Sequence, residues 1–261
     1  MSDDPAEHTM TFWEHLEELR RRIFKMMAAF AVGFGVGWFF RRQLLAILTK
    51  PFVRAWKDGH IQGKAMLHFP APASLFIAYI KLALLAGFIM ALPIILYQIW
   101  AFVSPGLYSK EKRYALPFVV VSCSLFALGG YFGWRVVFPI GFQYLLGFAG
   151  PVGVQGFQVQ PTVMIGDYIQ FVMQLLLAFG SVFELPVVVF FLSVAGIINY
   201  RHLIKFSRYF IVIAFALAAV LTPPNVATQV LLAVPLCVLY VVSIGVAYVF
   251  GKKPEKKPEA S

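Results

Sequence analysis

Charge is scarce in this chain. Only 13% of its 261 residues are Asp, Glu, Lys or Arg, whereas 60% are hydrophobic. Soluble globular domains carry roughly 25% charged residues, so that class is excluded. A mean hydropathy of +0.78 places the chain among integral membrane proteins. Cysteine is almost absent. Cys123 and Cys237 lie far apart in apolar runs, which excludes a disulfide framework and reads as two small buried hydrophobes. None of the five histidines, His8, His15, His60, His68 and His202, falls in an apolar run. The runs therefore hold no Ser–His pair, and they hold no paired aspartates either. No glycine loop suited to phosphate is present. Catalytic residues, metal ligands and cofactors are accordingly expected to be none. Acidic residues number 12 against 22 basic ones, a net charge of +10. In so apolar a chain, basic loops facing anionic lipid headgroups account for the excess better than nucleic acid does.

What is present is a series of long apolar runs. A spanning helix needs about 20 predominantly apolar residues. Candidates are residues 23–40, 75–99, 114–138, 168–194, 209–221 and 229–250, so the fold class expected is all-α with six transmembrane helices. The opening residues MSDDPAEHTM are acidic, and the first run has no A-x-A site. That run is read as an anchor and not as a cleaved signal. The fifth run, YFIVIAFALAAVL, has 13 residues and spans only ~20 Å of a ~30 Å core; the fifth helix, and with it the sixth, is expected to be short. Pro93, Pro186 and Pro235 each remove an intrahelical hydrogen bond and bend their helices. Gly33 with Gly37, and Gly129 with Gly133, have the small-xxx-small spacing of close helix contact. Three segments are expected: residues 1–22 as an amphipathic helix, 23–250 as the six-span domain, and 251–261 as a polar, Pro-punctuated tail.

Six spans put both termini on one side. With the N-terminus cytoplasmic, fourteen basic residues lie in cytoplasmic segments and seven outside, which favours that orientation. Arg41, Arg42, Lys50, Arg54, Lys57 and Lys64 dissent, six in the first external loop.

Two polar stretches stand out. In TFWEHLEELRRRIF, residues 11–24, Thr11 and Glu14 have capping-box spacing, and Phe12, Leu16, Leu19 and Ile23 form one apolar stripe. Glu17–Arg21 and Glu18–Arg22 have i,i+4 spacing, so local pairing is one reading of these charges. In AFVSPGLYSKEKRYALP, residues 101–117, Ser104-Pro105-Gly106 marks a turn. Glu111 there complements the dipole of a helix capped by Ser109. In the N-in topology both stretches share the cytoplasmic face. The other reading is that Glu18 and Glu111 converge on a cationic ligand, for which guanidinium groups are the natural match.

The stretches HLEELRRR, PIILYQIWAFVSPGLYSKEKR, FELP and LTPPNVATQVLLAVPL together resemble the TatC family, the core receptor subunits of the twin-arginine protein translocase. The resemblance runs in order from about residue 11 to 250. It implies a concave, glove-shaped bundle in the cytoplasmic (inner) membrane. It further implies binding of twin-arginine signal peptides of folded cargo, and transport driven by the proton-motive force. The family's peptide-binding glutamates correspond to Glu18 and Glu111, with Leu16, Arg20, Lys112 and Arg113 beside them. Single-span TatA- and TatB-type proteins, lipid and further copies of the same chain are the implied partners. Pro51, Pro223, Pro224 and Asn225 are read as loop and cap positions. Asn225 stands where the family usually has aspartate; it can still cap a helix but supplies no negative charge.

Glu184 remains to be placed. A charge at the bilayer centre is costly. The structural reading satisfies its carboxyl inside the bundle, through Gln170 or Gln174. The functional reading, which the resemblance supports, makes Glu184, with Gln174 and Pro186, an intramembrane contact for a partner's polar side chain. A proton-coupled secondary transporter using Glu184 is the alternative, but no second acid is centrally placed. An intramembrane hydrolase lacks its catalytic groups.

Overall fold

Residues 12 to 39 combine good helix formers with an apolar stripe, and they form one helix, α1 (Phe12–Phe39). The amphipathic segment thus runs into the first span without a break at residue 22. The computed structural model describes residues 12–59, 61, 63–103, 115–151, 158–221 and 226–251. Thr11, Glu111, Lys112, Arg113, Pro223, Pro224 and Asn225 lie outside them, as do residues 252–261. Among the described residues six helical segments are long and apolar enough to cross a membrane: Trp13–Phe39, Pro72–Phe102, Leu116–Leu146, Ile165–Val194, Tyr200–Val220 and Gln229–Phe250. These are the six expected; the first five reach beyond one end or both of their apolar runs, and the sixth coincides with its run.

After α1 come α2 (Arg41–Asp58), α3 (Pro72–Val103), α4 (Ala115–Phe132) and α5 (Phe138–Leu146), with a π-turn, Gly133–Val137, joining the last two. Then follow α6 (Ile165–Phe183), α7 (Leu185–Val194), α8 (Tyr200–Leu221) and α9 (Val226–Phe250). The expected brevity of the fifth span belongs to its apolar run and not to its helix. The 22-residue α8 begins with YRHLIKFSR, a basic stretch ahead of the run. The 25-residue α9 is of full spanning length.

Contacts divide the chain into two units, Met1–Phe39 with Ala83–Val121, and Phe40–Leu82 with Ser122–Ser261. In the first, α1 and α3 run antiparallel. A Cβ at Gly33 would lie 2.8 Å from the Gly87 carbonyl oxygen, and one at Gly37 would lie 2.8 Å from Ala86 Cβ. The small-xxx-small spacing therefore serves close packing within the chain.

In the second unit the stretch expected as the first external loop is not a loop. Residues 41–58 form α2, held by an aromatic cluster in which the Phe52 ring lies 5.7 Å from Trp56, 5.8 Å from Phe142 and 5.5 Å from Tyr168. Pro51, expected at a loop or cap, is buried inside this helix. Having no N–H, it leaves the Ile47 carbonyl without its i+4 donor; the Trp134 indole N–H donates there instead, at 3.2 Å. Two strands of two residues, β1 (Leu67–His68) and β4 (Val163–Met164), pair in parallel just before α3 and α6. They bring the first turns of those two helices to the same end. A second short pair, β2 (Gly150–Pro151) with β3 (Gln158–Val159), is antiparallel. Elsewhere in the unit, Tyr240 of α9 stacks on Phe210 of α8 at 3.9 Å and donates to the Leu203 carbonyl at 2.8 Å. A Cβ at Gly129 would lie 2.5 Å from the Phe179 carbonyl oxygen, so α4 and α6 also meet backbone to backbone.

The Pro51–Trp134 relation is testable. Trp134→Phe should lower stability by about 1 kcal/mol, the worth of one hydrogen bond. In a Pro51→Ala background the same substitution should cost less, because alanine at that position supplies the missing backbone N–H. Thermal unfolding of the four proteins in detergent measures the coupling.

Candidate functional site

The first cluster is built on the N-terminal turns of α1. Glu18 and Arg22 lie one turn apart, and the Arg22 guanidinium donates to Glu18 Oε1 through Nε at 3.1 Å and through a second, closer contact from Nη2. Arg22 also donates to Gln98 Oε1 of α3 at 3.2 Å. His15 approaches the other carboxylate oxygen, Glu18 Oε2, at 4.0 Å and stacks on Phe102 with ring centroids 4.3 Å apart. Glu18 Oε2 is buried and accepts no hydrogen bond. Gln98 and Phe102 thus fix the outer end of α3 against this part of α1. Glu17 and Arg21 pair at 2.9 Å on the exposed side. Arg20 is exposed, with its guanidinium 5.7 Å from the Phe24 ring centroid, and Leu16 is exposed as well. Both expected i,i+4 pairs are therefore present, and in one of them Glu18 keeps an unused acceptor. Glu111, Lys112 and Arg113 lie outside the described residues; their segment joins α3 to α4.

The second cluster surrounds Glu184. Here the fourth span breaks: Glu184, at φ −76° and ψ −14°, ends α6 and starts α7. Its N–H donates three residues back, to the Ser181 carbonyl, at 3.1 Å. Its own carbonyl accepts from Val187 and Val188, each at 3.0 Å. Pro186, the second residue of α7, has no N–H to continue the ladder, which is why the span breaks here as expected. Ser122 of α4 lies near the carboxyl, with Cys123 close enough to feel its charge. Glu184 Oε1 and Ser122 Oγ are both buried without a hydrogen-bond partner. The amides expected to satisfy Glu184 do not. Gln170 Oε1 accepts from Lys81 Nζ at 2.7 Å, and Gln174 is exposed. Lys81 takes Gln170 because both sit near the starts of α3 and α6, which β1 and β4 tie together, whereas Glu184 lies fourteen residues further along.

Sequence reasoning missed Gln98 and Ser122. Their signal was available: each is a polar residue inside an apolar run. No group of three or more His, Cys, Asp or Glu suited to a metal ion occurs among the described residues.

Six helices long and apolar enough to cross a membrane define a multi-pass membrane protein. The family model for the Sec-independent protein translocase protein (TatC) matches residues 14–235. The protein of that name from Desulforapulum autotrophicum is 42% identical over 97% of this chain and 90% of its own length. That from Aquifex aeolicus is 38% identical over 96% of this chain and its entire length. A crystal structure described as the twin arginine translocase receptor TatC is 39% identical, with a TM-score of 0.76 over 90% of this chain and 98% of its own. The chain belongs to the TatC family, and it is a component of a Sec-independent protein translocase.

Burial separates the two ion pairs on α1. Side chains are 18% and 22% exposed in Arg22–Glu18, against 73% and 63% in Arg21–Glu17. Arg22→Ala should therefore lower stability by about 1 kcal/mol or more, and Arg21→Ala by close to nothing. Melting of the two variants in the same detergent checks the difference.

Proposed function

We propose that this chain is the signal-peptide receptor of a twin-arginine translocase and that Glu18 and Glu111 accept the arginine pair. The observation that carries the reading is the state of Glu18: one oxygen is occupied by Arg22, and the other is buried with no donor. An incoming guanidinium supplies such a donor, and its planar fork of N–H groups matches carboxylate geometry better than an ammonium does. Glu111 follows α3 by eight residues, and Phe102 near that helix end stacks on His15, one turn from Glu18. Arg20, Lys112 and Arg113 flank the two acids and orient the peptide, and exposed Leu16 offers it apolar surface. The solved relative described as a twin arginine translocase receptor supports the same assignment. The basic-residue count supports a cytoplasmic N-terminus and C-terminus in the inner membrane. Residues 1–22 are then the cytoplasmic N-terminal segment, residues 23–250 the membrane domain, and residues 251–261 a cytoplasmic tail.

Glu184 has a separate task. Its carboxyl, one oxygen of which is buried without a partner at a helix break near Ser122, is a contact for a polar group on a single-span partner of the TatA or TatB type. Transport then draws on the proton-motive force, with the receptor acting in several copies. Site-specific crosslinking to a twin-arginine signal peptide tests this division of labour. Glu18→Ala should lose most crosslinking. Glu184→Ala should retain it while losing partner association and transport. Equal loss of peptide crosslinking in both variants would sink the assignment.

A further inference from the structure

Helix α2 presents two unlike faces. One buries Pro51, Phe52, Ala55 and Trp56. On the opposite side Arg42, Lys50, Arg54 and Lys57, which recur at helical spacing, are all exposed. None of these four forms an ion pair among the described residues. The acid at the helix end, Asp58, accepts from Gln143 at the edge of this face, at 3.2 Å. Two grooves of about 330 and 310 Å³ run along the face. They share a floor of Ala46, Thr49 and Val53, with Lys50, Arg54 and Lys57 lining one and Arg42 the other.

The level of this helix is set by what holds it. The Arg41 guanidinium lies 5.8 Å from the ring centroid of Tyr79, in the second turn of α3. The Leu48 carbonyl accepts from the hydroxyl of Tyr168, in the first turn of α6, at 2.6 Å. Both tyrosines stand at the starts of membrane spans, where aromatic side chains mark the headgroup region. A cationic helix face with small apolar residues between its charges, fixed at that depth, is complementary to phosphate esters and the glycerol zone beneath them.

We infer that α2 is an interfacial helix whose Arg42, Lys50, Arg54 and Lys57 face binds the headgroups of anionic phospholipids. This assigns a role to basic residues that run against the positive-inside distribution, and it holds for whichever leaflet the helix meets.

The full-length chain is reconstituted in vesicles of phosphatidylcholine with phosphatidylglycerol, and spin-labelled lipids report which headgroup is held at the protein surface. Wild type should prefer phosphatidylglycerol, and the preference should fall as salt rises. The variant Arg42→Gln, Lys50→Gln, Arg54→Gln, Lys57→Gln should lose about threefold or more of that preference, with unchanged helical circular dichroism. Neutralising Arg201, Lys205 and Arg208 of α8 should leave most of it. A salt-insensitive preference in wild type overturns the inference without any variant. So does an unchanged preference in the α2 variant, or an equal loss in the α8 variant. Loss of association between copies or with an acidic protein, at unchanged lipid preference, assigns the face to a protein partner and overturns it too.

Discussion

The interior of a bilayer offers no water to an unpaired backbone group, so each interruption of a helix has to be repaired by the protein itself. Several of this chain's polar contacts answer that constraint. Outside the spans, in α2, the same repair is made where Trp134 serves the Ile47 carbonyl that Pro51 leaves free. At Glu184 the chain tightens to bonds over three residues, so α7 restarts at once. Tyr240 donates to the Leu203 carbonyl, and Gln229 to the Phe215 carbonyl at 2.9 Å. With the backbone satisfied, the polar side-chain atoms left without partners become informative. They include Glu18 Oε2, Glu184 Oε1 and Ser122 Oγ.

Those atoms separate two kinds of site. Glu18 lies on the N-terminal lead of α1, partly exposed, and Arg22, itself bonded to Gln98, holds its carboxylate in place. Glu184 sits between two apolar helices, α6 and α7, where full charge is expensive and a neutral, hydrogen-bonding partner is the better match. The proposed division of labour, arginine recognition at one acid and partner contact at the other, rests on this contrast. That contrast follows from where each carboxylate lies, and residue type alone would not separate them.

Much of this was legible in the sequence. Run length and composition set the six spans, because lipid tolerates few alternatives. Glu17–Arg21 and Glu18–Arg22 followed from i,i+4 spacing, the close helix contacts from glycine spacing, and the break at Glu184 from Pro186. Helix α2 was not legible: its mixed basic and apolar residues average to the polarity of a loop, and Pro51 argued against a helix. Its partner cluster, Phe142 and Tyr168, lies some ninety residues or more downstream in sequence. For the same reason Gln170 looked like a mate for Glu184; the pairing of β1 with β4, which gives it to Lys81, joins segments nearly a hundred residues apart.

Recognition of guanidinium groups, and not merely of positive charge, is the central claim for this chain. Equilibrium binding of a fluorescent signal peptide to the reconstituted full-length chain, compared for an Arg–Arg sequence and its Lys–Lys variant at one ionic strength, tests it directly. Guanidinium recognition predicts clearly tighter binding of the Arg–Arg peptide, with the difference vanishing in Glu18→Ala. Equal affinity of the two peptides for the unmodified chain would contradict it.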